Sequence, residues 1–462
     1  MFSAATYTKR RQALKEKLGS GVVLLLGNED SPMNYKTNTY HFRQDSSFLY
    51  YFGLDMPHLV GIIDIENNEE VIFGDELTLD DVIWTGPQIT INELASNVGV
   101  AQTMPYRKIG KVLHAAQAQR KTIHFLPTYR AENQVKLSAY FDLSYDAVPQ
   151  HASVNLIKAV VAQRAIKSNE EIVEMEKAVN TSRMMHVAAM RMTRPGMIEQ
   201  ELVGKVTDIA IAHGGNLSYP AIMTVNGQTL HNHHHHNALK SGQMVLGDFG
   251  AETAMHYAGD ITRTFPVDKT FTDRQKDIYN IVLKAEEDCI ASLRPDLPYQ
   301  QVHLNAAMII AEGLKSLGLM KGNVEDAVRA GAHALFFPHG LGHMIGLDVH
   351  DMEDLGEDYV GYNENIKRID QFGTKYLRLG RKLEAGFVLT VEPGIYFIPE
   401  LIDQWHSEGR HSDFLNFDKI ATYKDFSGIR LEDNVLITAD GHRVLGDRIP
   451  KTVEEVEGIR NE

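Results

Sequence analysis

The chain has 462 residues, 43% hydrophobic and 23% charged, an ordinary globular composition with room for about two to four domains. Lys and Arg total 46 against 61 Asp and Glu, and a formal charge of −15 argues against nucleic acid as a partner, since an acidic surface repels phosphate. One cysteine, Cys289, rules out an intramolecular disulfide; the N-terminus lacks an apolar signal core and no apolar run is long enough for a membrane span, so the reading is cytoplasmic.

Residues 6–18 carry an amphipathic helical pattern. GVVLLLG, LVGIIDI and EVIFG then read as strands with helices between them. Near residue 160 the character changes. SNEE, from Ser168 to Glu171, is a capping box in which hydroxyl and carboxylate satisfy free amides at a helix start. It opens a long helix, roughly Glu170 to Met192, which RPG ends. The boundary falls there: a smaller α/β domain over 1–160, then a larger domain over 161–462.

Next comes TLHNHHHHNALKSG, with histidines at 231, 233, 234, 235 and 236. The tract invites a metal reading, but His233 to His236 read as a solvated loop. LKSGQMVLGDFG from Leu239 is echoed by LEAGFVLTVEPG from Leu383, each an apolar strand ending on an acid two residues before a glycine. Asp248 and Glu392 occupy the same place in the two segments. An internal duplication explains the equal offsets and predicts two half-domains whose acids meet at a pseudo-two-fold axis.

Acids are rarely buried unless paired or metal-bound. Yet Asp248 follows MVLG, Asp260 lies in HYAGDITRTFPV, Glu392 follows FVLTV, and Glu432 lies in SGIRLEDNVLIT. Between them PHGLGHMIGLDVHD brings His339, His343 and His350. Four ionised carboxylates match the charge of two divalent cations, with His343 as the one imidazole ligand. Oxygen-rich donors favour manganese; cobalt and zinc fit the same set. Two such ions lower the pKa of a shared water, and the resulting hydroxide attacks a carbonyl. No GxSxG elbow, nucleophilic cysteine motif or P-loop offers another chemistry.

LGDFG, HYAGDITRTFPV, HGLGHMIGLDVHD, LTVEPGIYF and GIRLEDNVLIT, in that order, resemble the proline-specific metallopeptidases of the pita-bread fold, aminopeptidase P and prolidase. FRQDSSFLYYFGLD extends the resemblance into the front domain. It implies an α+β protein, a pita-bread catalytic domain with internal pseudo-two-fold preceded by a smaller α/β domain. It implies metal ligands Asp248, Asp260, His343, Glu392 and Glu432, with Asp260 and Glu432 bridging two ions and Glu392 as general base. It gives His231 a part in substrate contact or proton transfer to the leaving group. It places His339 and His350 against substrate, His350 gripping the carbonyl or transition state, with Arg430 among the substrate-binding residues. The Asp248–Asp260 segment looks one residue longer than usual, which the turn ETAMH can absorb. The front domain is implied to carry no catalytic groups and to serve homodimer contacts and narrowing of the cleft.

The reaction implied is hydrolysis of the bond between an N-terminal residue and a following proline, whose missing amide proton and fixed φ defeat general peptidases. Arg378, in KYLRLGRKLEAG, suits a forked grip on the carboxylate of a dipeptide and tips the reading toward prolidase. The segment from Ile398 to Phe426 and the ending KTVEEVEGI resemble prolidase as well. The alternatives are aminopeptidase P action on longer peptides and a non-enzymatic peptide-binding module; a metal-free creatinase-like hydrolase and a methionine aminopeptidase fit less well.

Overall fold

The computed structural model describes residues 1–462, which divide into two compact units: 1–164 with 353–359, and 165–352 with 360–462. In the first, helix α1 (Ala4–Leu18) starts on the Ser3 cap and leads into strand β1 (Val22–Leu26). A short hairpin, β2 (Pro32–Tyr35) and β3 (Asn38–Thr39), precedes α2 (Ser46–Phe52). Then come β4 (Val60–Asp64), β5 (Glu69–Phe73), α3 (Leu79–Thr85), α4 (Ile91–Asn97), β6 (Gln102–Met104), α5 (Ile109–Ala118), β7 (Ile123–Phe125), α6 (Ala131–Phe141) and α7 (Val154–Arg164).

The three predicted strands form, but no helix separates the second from the third. β4 and β5 are an antiparallel hairpin turning at Ile65–Asn68, with Asn68 at positive φ and the Asn67 amide donating to Asp64. Local Asn/Asp hydrogen bonding favours that turn over helix. The sheet order is β6-β5-β4-β1-β7, with parallel edges β5–β6 and β1–β7. Val22, Leu24, Ile62, Phe73, Leu113 and Leu137 belong to its core. The buried stripe of α1 includes Arg11, which is fully enclosed because Glu70 and the carbonyls of Tyr51 and Val98 accept its protons.

The larger unit opens with α8 (Asn169–Met192), held by the Ser168–Glu171 capping box, and α9 (Glu199–Ala212). Strands β8 (Asn216–Leu217), β9 (Ile222–Thr224), β10 (Met244–Asp248), β11 (Ala251–Glu252) and β12 (Thr262–Pro266) follow. A second run repeats the plan: α10 (Asp273–Ser292), α11 (Tyr299–Ser316), α12 (Val324–Ala330), β13 (Val388–Val391), β14 (Gly394–Tyr396), β15 (Gly428–Arg430), β16 (Asp433–Ile437) and β17 (His442–Val444). The echo seen in sequence is a repeat in space. The Gly196 amide donates to Leu239 O, and Asp296 to Leu383 O, both at 2.9 Å. Leu239 donates back to Met197, as Leu383 does to Leu297; Glu199 donates to Asn237, as Tyr299 does to Arg381. β10 pairs antiparallel with β12, and β13 with β16. A bridge between Thr262 and Glu432 joins the two halves. No helix is long and apolar enough to cross a membrane.

Candidate metal centre

Each acid arrives at the end of a strand whose apolar residues anchor it. Asp248 is the last residue of β10, below buried Val245 and Leu246. Asp260 lies two residues before β12, and its backbone is clamped by Asn434, whose side chain accepts from Asp260 N at 3.0 Å and donates to its carbonyl at 2.6 Å. Glu392 follows β13, its amide donating to Leu341 O. Glu432 sits between β15 and β16, and Thr262 Oγ1 donates to its Oε2 at 2.7 Å. The turn within ETAMH lies away from both ends of its hairpin, with His256 at positive φ.

His343 comes from the loop before β13. Its backbone amide donates to Thr390 Oγ1, and its Nδ1 lies 3.0 Å from Met344 O. That contact makes Nδ1 the protonated nitrogen and Nε2 the one that can ligate. Nε2 lies 3.3 Å from Asp260 Oδ2 and 3.8 Å from Glu392 Oε1. Gly342 is required here: a Cβ would sit 2.0 Å from Thr390 O.

Ligand atoms of Asp260, His343 and Glu432 all lie within 4.8 Å of one another, and all three residues are buried. Asp248 joins them through Tyr219, whose phenol is 2.6 Å from Asp248 Oδ1 and also hydrogen-bonds Asp260 Oδ1. All five residues line one cavity of about 440 Å³. The Glu392 side chain is the most open, 19% exposed against 7% for Asp260.

Burial pushes the carboxyls of Asp248, Asp260, Glu392 and Glu432 above the ordinary range, and mutual repulsion adds to it at each of these except Asp260. The arginines lining the cavity, Arg378 and Arg430, supply two positive charges against four acids. Two negative charges remain, and carboxylates with one imidazole make a donor set that fits hard or borderline divalent ions.

The other predicted residues lie in the same cavity wall: His231, His339, His350, Arg378 and Arg430. The His350 ring packs on His343, centroids 4.2 Å apart. His339 Nδ1 is 3.9 Å from Glu392 Oε2, and burial lowers its pKa to about 3. Burial also lowers that of His231. Arg430 is engaged with the protein: its guanidinium donates to Asp248 Oδ2, to the Tyr396 hydroxyl at 2.7 Å and to Thr262 Oγ1 at 3.2 Å. Tyr396 in turn meets His339 Nε2 at 2.8 Å.

Tyr219 and Tyr396 escaped the sequence reading. Tyr396 lies inside the motif LTVEPGIYF, but nothing local distinguishes it from a core aromatic. Tyr219, in LSYPA, carries no signal; only the fold brings its hydroxyl to the acids. Of the histidine tract, His233 joins His231 at the cavity.

The sequence signature of metallopeptidase family M24 matches residues 173–439, more than half the chain. The chain belongs to metallopeptidase family M24. Residues 7–124 match the aminopeptidase P N-terminal domain. A probable Xaa-Pro aminopeptidase of Metarhizium robertsii is 31% identical over 444 residues, 95% of this chain and 92% of that protein. The human Xaa-Pro dipeptidase is 31% identical over 471 residues, 98% of this chain and 92% of that protein. Among solved structures, the aminopeptidase PepP of Pseudomonas aeruginosa superposes with a TM-score of 0.83 at 27% identity, covering 100% of this chain and 98% of that one. Zinc-substituted Escherichia coli aminopeptidase P in complex with product gives 0.81 at 29% identity, with the same coverage. The fold is therefore the mixed α and β one expected, an M24 pita-bread domain preceded by an aminopeptidase P N-terminal domain.

Proposed function

We propose that this metallopeptidase is an Xaa-Pro exopeptidase that removes an N-terminal residue ahead of proline with two divalent cations, Mn²⁺ in preference to Co²⁺ or Zn²⁺. The observation that carries the reading is the convergence of Asp260 and Glu432, beside strand ends, with His343 from a loop, and with Asp248 and Glu392 in the same cavity. Asp248, Asp260, His343, Glu392 and Glu432 would hold the ions. Bound there, the ions would supply Lewis acidity to activate a water and to stabilise the developing oxyanion.

The side chains divide the remaining work. Glu392 takes the proton of the attacking water: burial raises its basicity and its carboxylate faces the cavity. His231, on the rim, passes a proton to the leaving proline nitrogen. His350 and His339 orient the scissile carbonyl; His339 is held neutral by burial, its Nδ1 donating to Gly340 O and its Nε2 accepting from the Tyr396 hydroxyl. Arg430 holds Asp248 in place and lines the cavity that would receive the peptide.

Arg378 lines the cavity and acts electrostatically on both His231 and Glu392. A guanidinium there suits the carboxylate of a dipeptide, so the reading leans to dipeptides. A second reading, action on longer peptides, is favoured by a groove of about 430 Å³ that shares Leu230, Pro338 and Tyr376 with the cavity. Rates on Ala-Pro and Ala-Pro-Ala in Mn²⁺ buffer decide between them. Under the first reading Ala-Pro is preferred and Arg378→Ala raises its KM selectively. Equal cleavage of both peptides, unaltered in Arg378→Ala, rejects the clamp. Asp260→Asn and Glu432→Gln should lose bound metal and activity together; full activity in either rejects the metal centre.

A further inference from the structure

The histidine tract sits at the rim of the cavity, and the mechanism above uses only His231 from it. Residues 232–237 belong to no helix or strand and are tied down at both ends. Asn232 Nδ2 donates to Thr224 Oγ1 at 2.9 Å, and the His234 amide donates back to Asn232 Oδ1 at 2.9 Å. Gln200 N donates to His235 O at 2.9 Å. Asn237 gives its backbone amide (3.3 Å) and side-chain amide (3.0 and 3.1 Å) to the buried carboxylate of Glu199.

The histidines of this segment point in different directions. Here His233 lines the catalytic cavity, and His235 Nδ1 lies 3.3 Å from Met223 O. His234 and His236 share the other face, both exposed, with ring centroids 6.0 Å apart and planes inclined at 51°.

That separation is the span of one coordinated ion. With metal–nitrogen bonds of about 2.0–2.1 Å, each imidazole centroid lies about 3.2 Å from the metal, so two rings on one ion stand about 5 to 6.4 Å apart as the angle opens from tetrahedral to linear. The observed 6.0 Å falls inside this window without moving the backbone.

We propose that His234 and His236 form a second transition-metal site on the outer face of the cavity rim, separate from the carboxylate cluster. Its donors are two neutral imidazoles with water completing the shell. Imidazole selects zinc, nickel or copper and holds Mn²⁺ weakly, so the outer pair discriminates against manganese more strongly than the oxygen-rich centre does. The anchored loop orders the rings beforehand, which removes part of the entropic cost of chelation.

The site is tested on the full-length protein saturated with Mn²⁺, titrated with Ni²⁺ under equilibrium dialysis with metal analysis of the protein fraction. Exchange at the carboxylate centre is common to all variants and cancels in the comparison. The wild type should bind one more equivalent of Ni²⁺ than His234→Asn/His236→Asn, in the micromolar range. Either single variant should weaken that equivalent by about tenfold or more, since one imidazole is left. His233→Asn/His235→Asn, on the opposite face, should retain it. Circular dichroism and Mn²⁺-supported peptide hydrolysis equal to wild type show that the outer-pair variant is folded. Equal Ni²⁺ stoichiometry in wild type and outer-pair variant, or loss of the extra equivalent in His233→Asn/His235→Asn, overturns the assignment. Neither outcome bears on the hydrolytic reading, because the readout is bound nickel.

Discussion

Replacing His303 and His333 together by leucine should flatten the acid limb of the stability curve. Both rings are fully buried, His303 in α11 and His333 beyond α12, and none of their four nitrogens has a hydrogen-bond partner. Burial lowers their pKa values to about 3 and about 4, with His333 as a lesser cause for His303 and His411 for His333. In the unfolded chain both titrate near about 6.5. The folded values lie below the unfolded ones, so the native state is unpenalised above about pH 6.5 and loses stability as pH falls toward the folded values. For one such group the loss at pH 5 relative to pH 7.5 is about 2 kcal/mol, so the pair accounts for about 4 kcal/mol. The site shares the consequence, since His303 packs on Phe337, and Phe337 on His339. The assay is urea unfolding of metal-free protein at both pH values. Tryptophan emission reports the larger unit, because Trp405 is buried within it while Trp84 is 86% exposed before unfolding begins. Wild type should lose about 4 kcal/mol more than the leucine variant between the two pH values. Equal losses, within about 1 kcal/mol, would refute the assignment of acid sensitivity to these imidazoles.

Three further outcomes follow from the site. Tyr219→Phe removes the hydroxyl that bridges Asp248 and Asp260 while keeping the ring, and should weaken metal binding by about 10- to 100-fold, read by calorimetric titration with Mn²⁺; an unchanged affinity would place Tyr219 outside the ligand support. Gly342→Ala puts a methyl 2.0 Å from Thr390 O beside His343, and should cost about 1–3 kcal/mol of stability and lower metal content; a variant with wild-type melting temperature contradicts the close approach. Adding Mn²⁺ at about 100 times its dissociation constant should stabilise chelator-treated protein by about 2.7 kcal/mol per site, read as a concentration-dependent rise in melting temperature; a melting curve indifferent to Mn²⁺ and restored by no other divalent ion removes the case for a metal centre.

The strands, the capped helix at Ser168 and the internal repeat were legible because each is written in neighbouring residues: apolar runs, a reciprocal cap, an acid at a fixed offset from a leucine. The β4–β5 hairpin was missed, since DIENNEE shows polar residues that serve a turn or a helix equally until pairing decides. Asp248, Asp260, His343, Glu392 and Glu432 stood out because carboxylates and glycines inside apolar strands are costly unless something compensates them. Nothing in the sequence pointed to Tyr219, which reaches the acids across the loop before β9, or to Arg430 as the counter-charge of Asp248.

Sequence alone therefore determined which residues are chemically out of place and in which repeated frame they sit, because burial cost and periodicity are local. Only the tertiary structure decided which atoms meet. The 3.3 Å from His343 to Asp260, the phenol shared by two acids, and the facing of His234 to His236 while His233 turns inward depend on how the halves pair and where the loop is anchored. The first two join residues far apart in the chain, with distances set by packing and strand register, and the third depends on where distant residues anchor the loop.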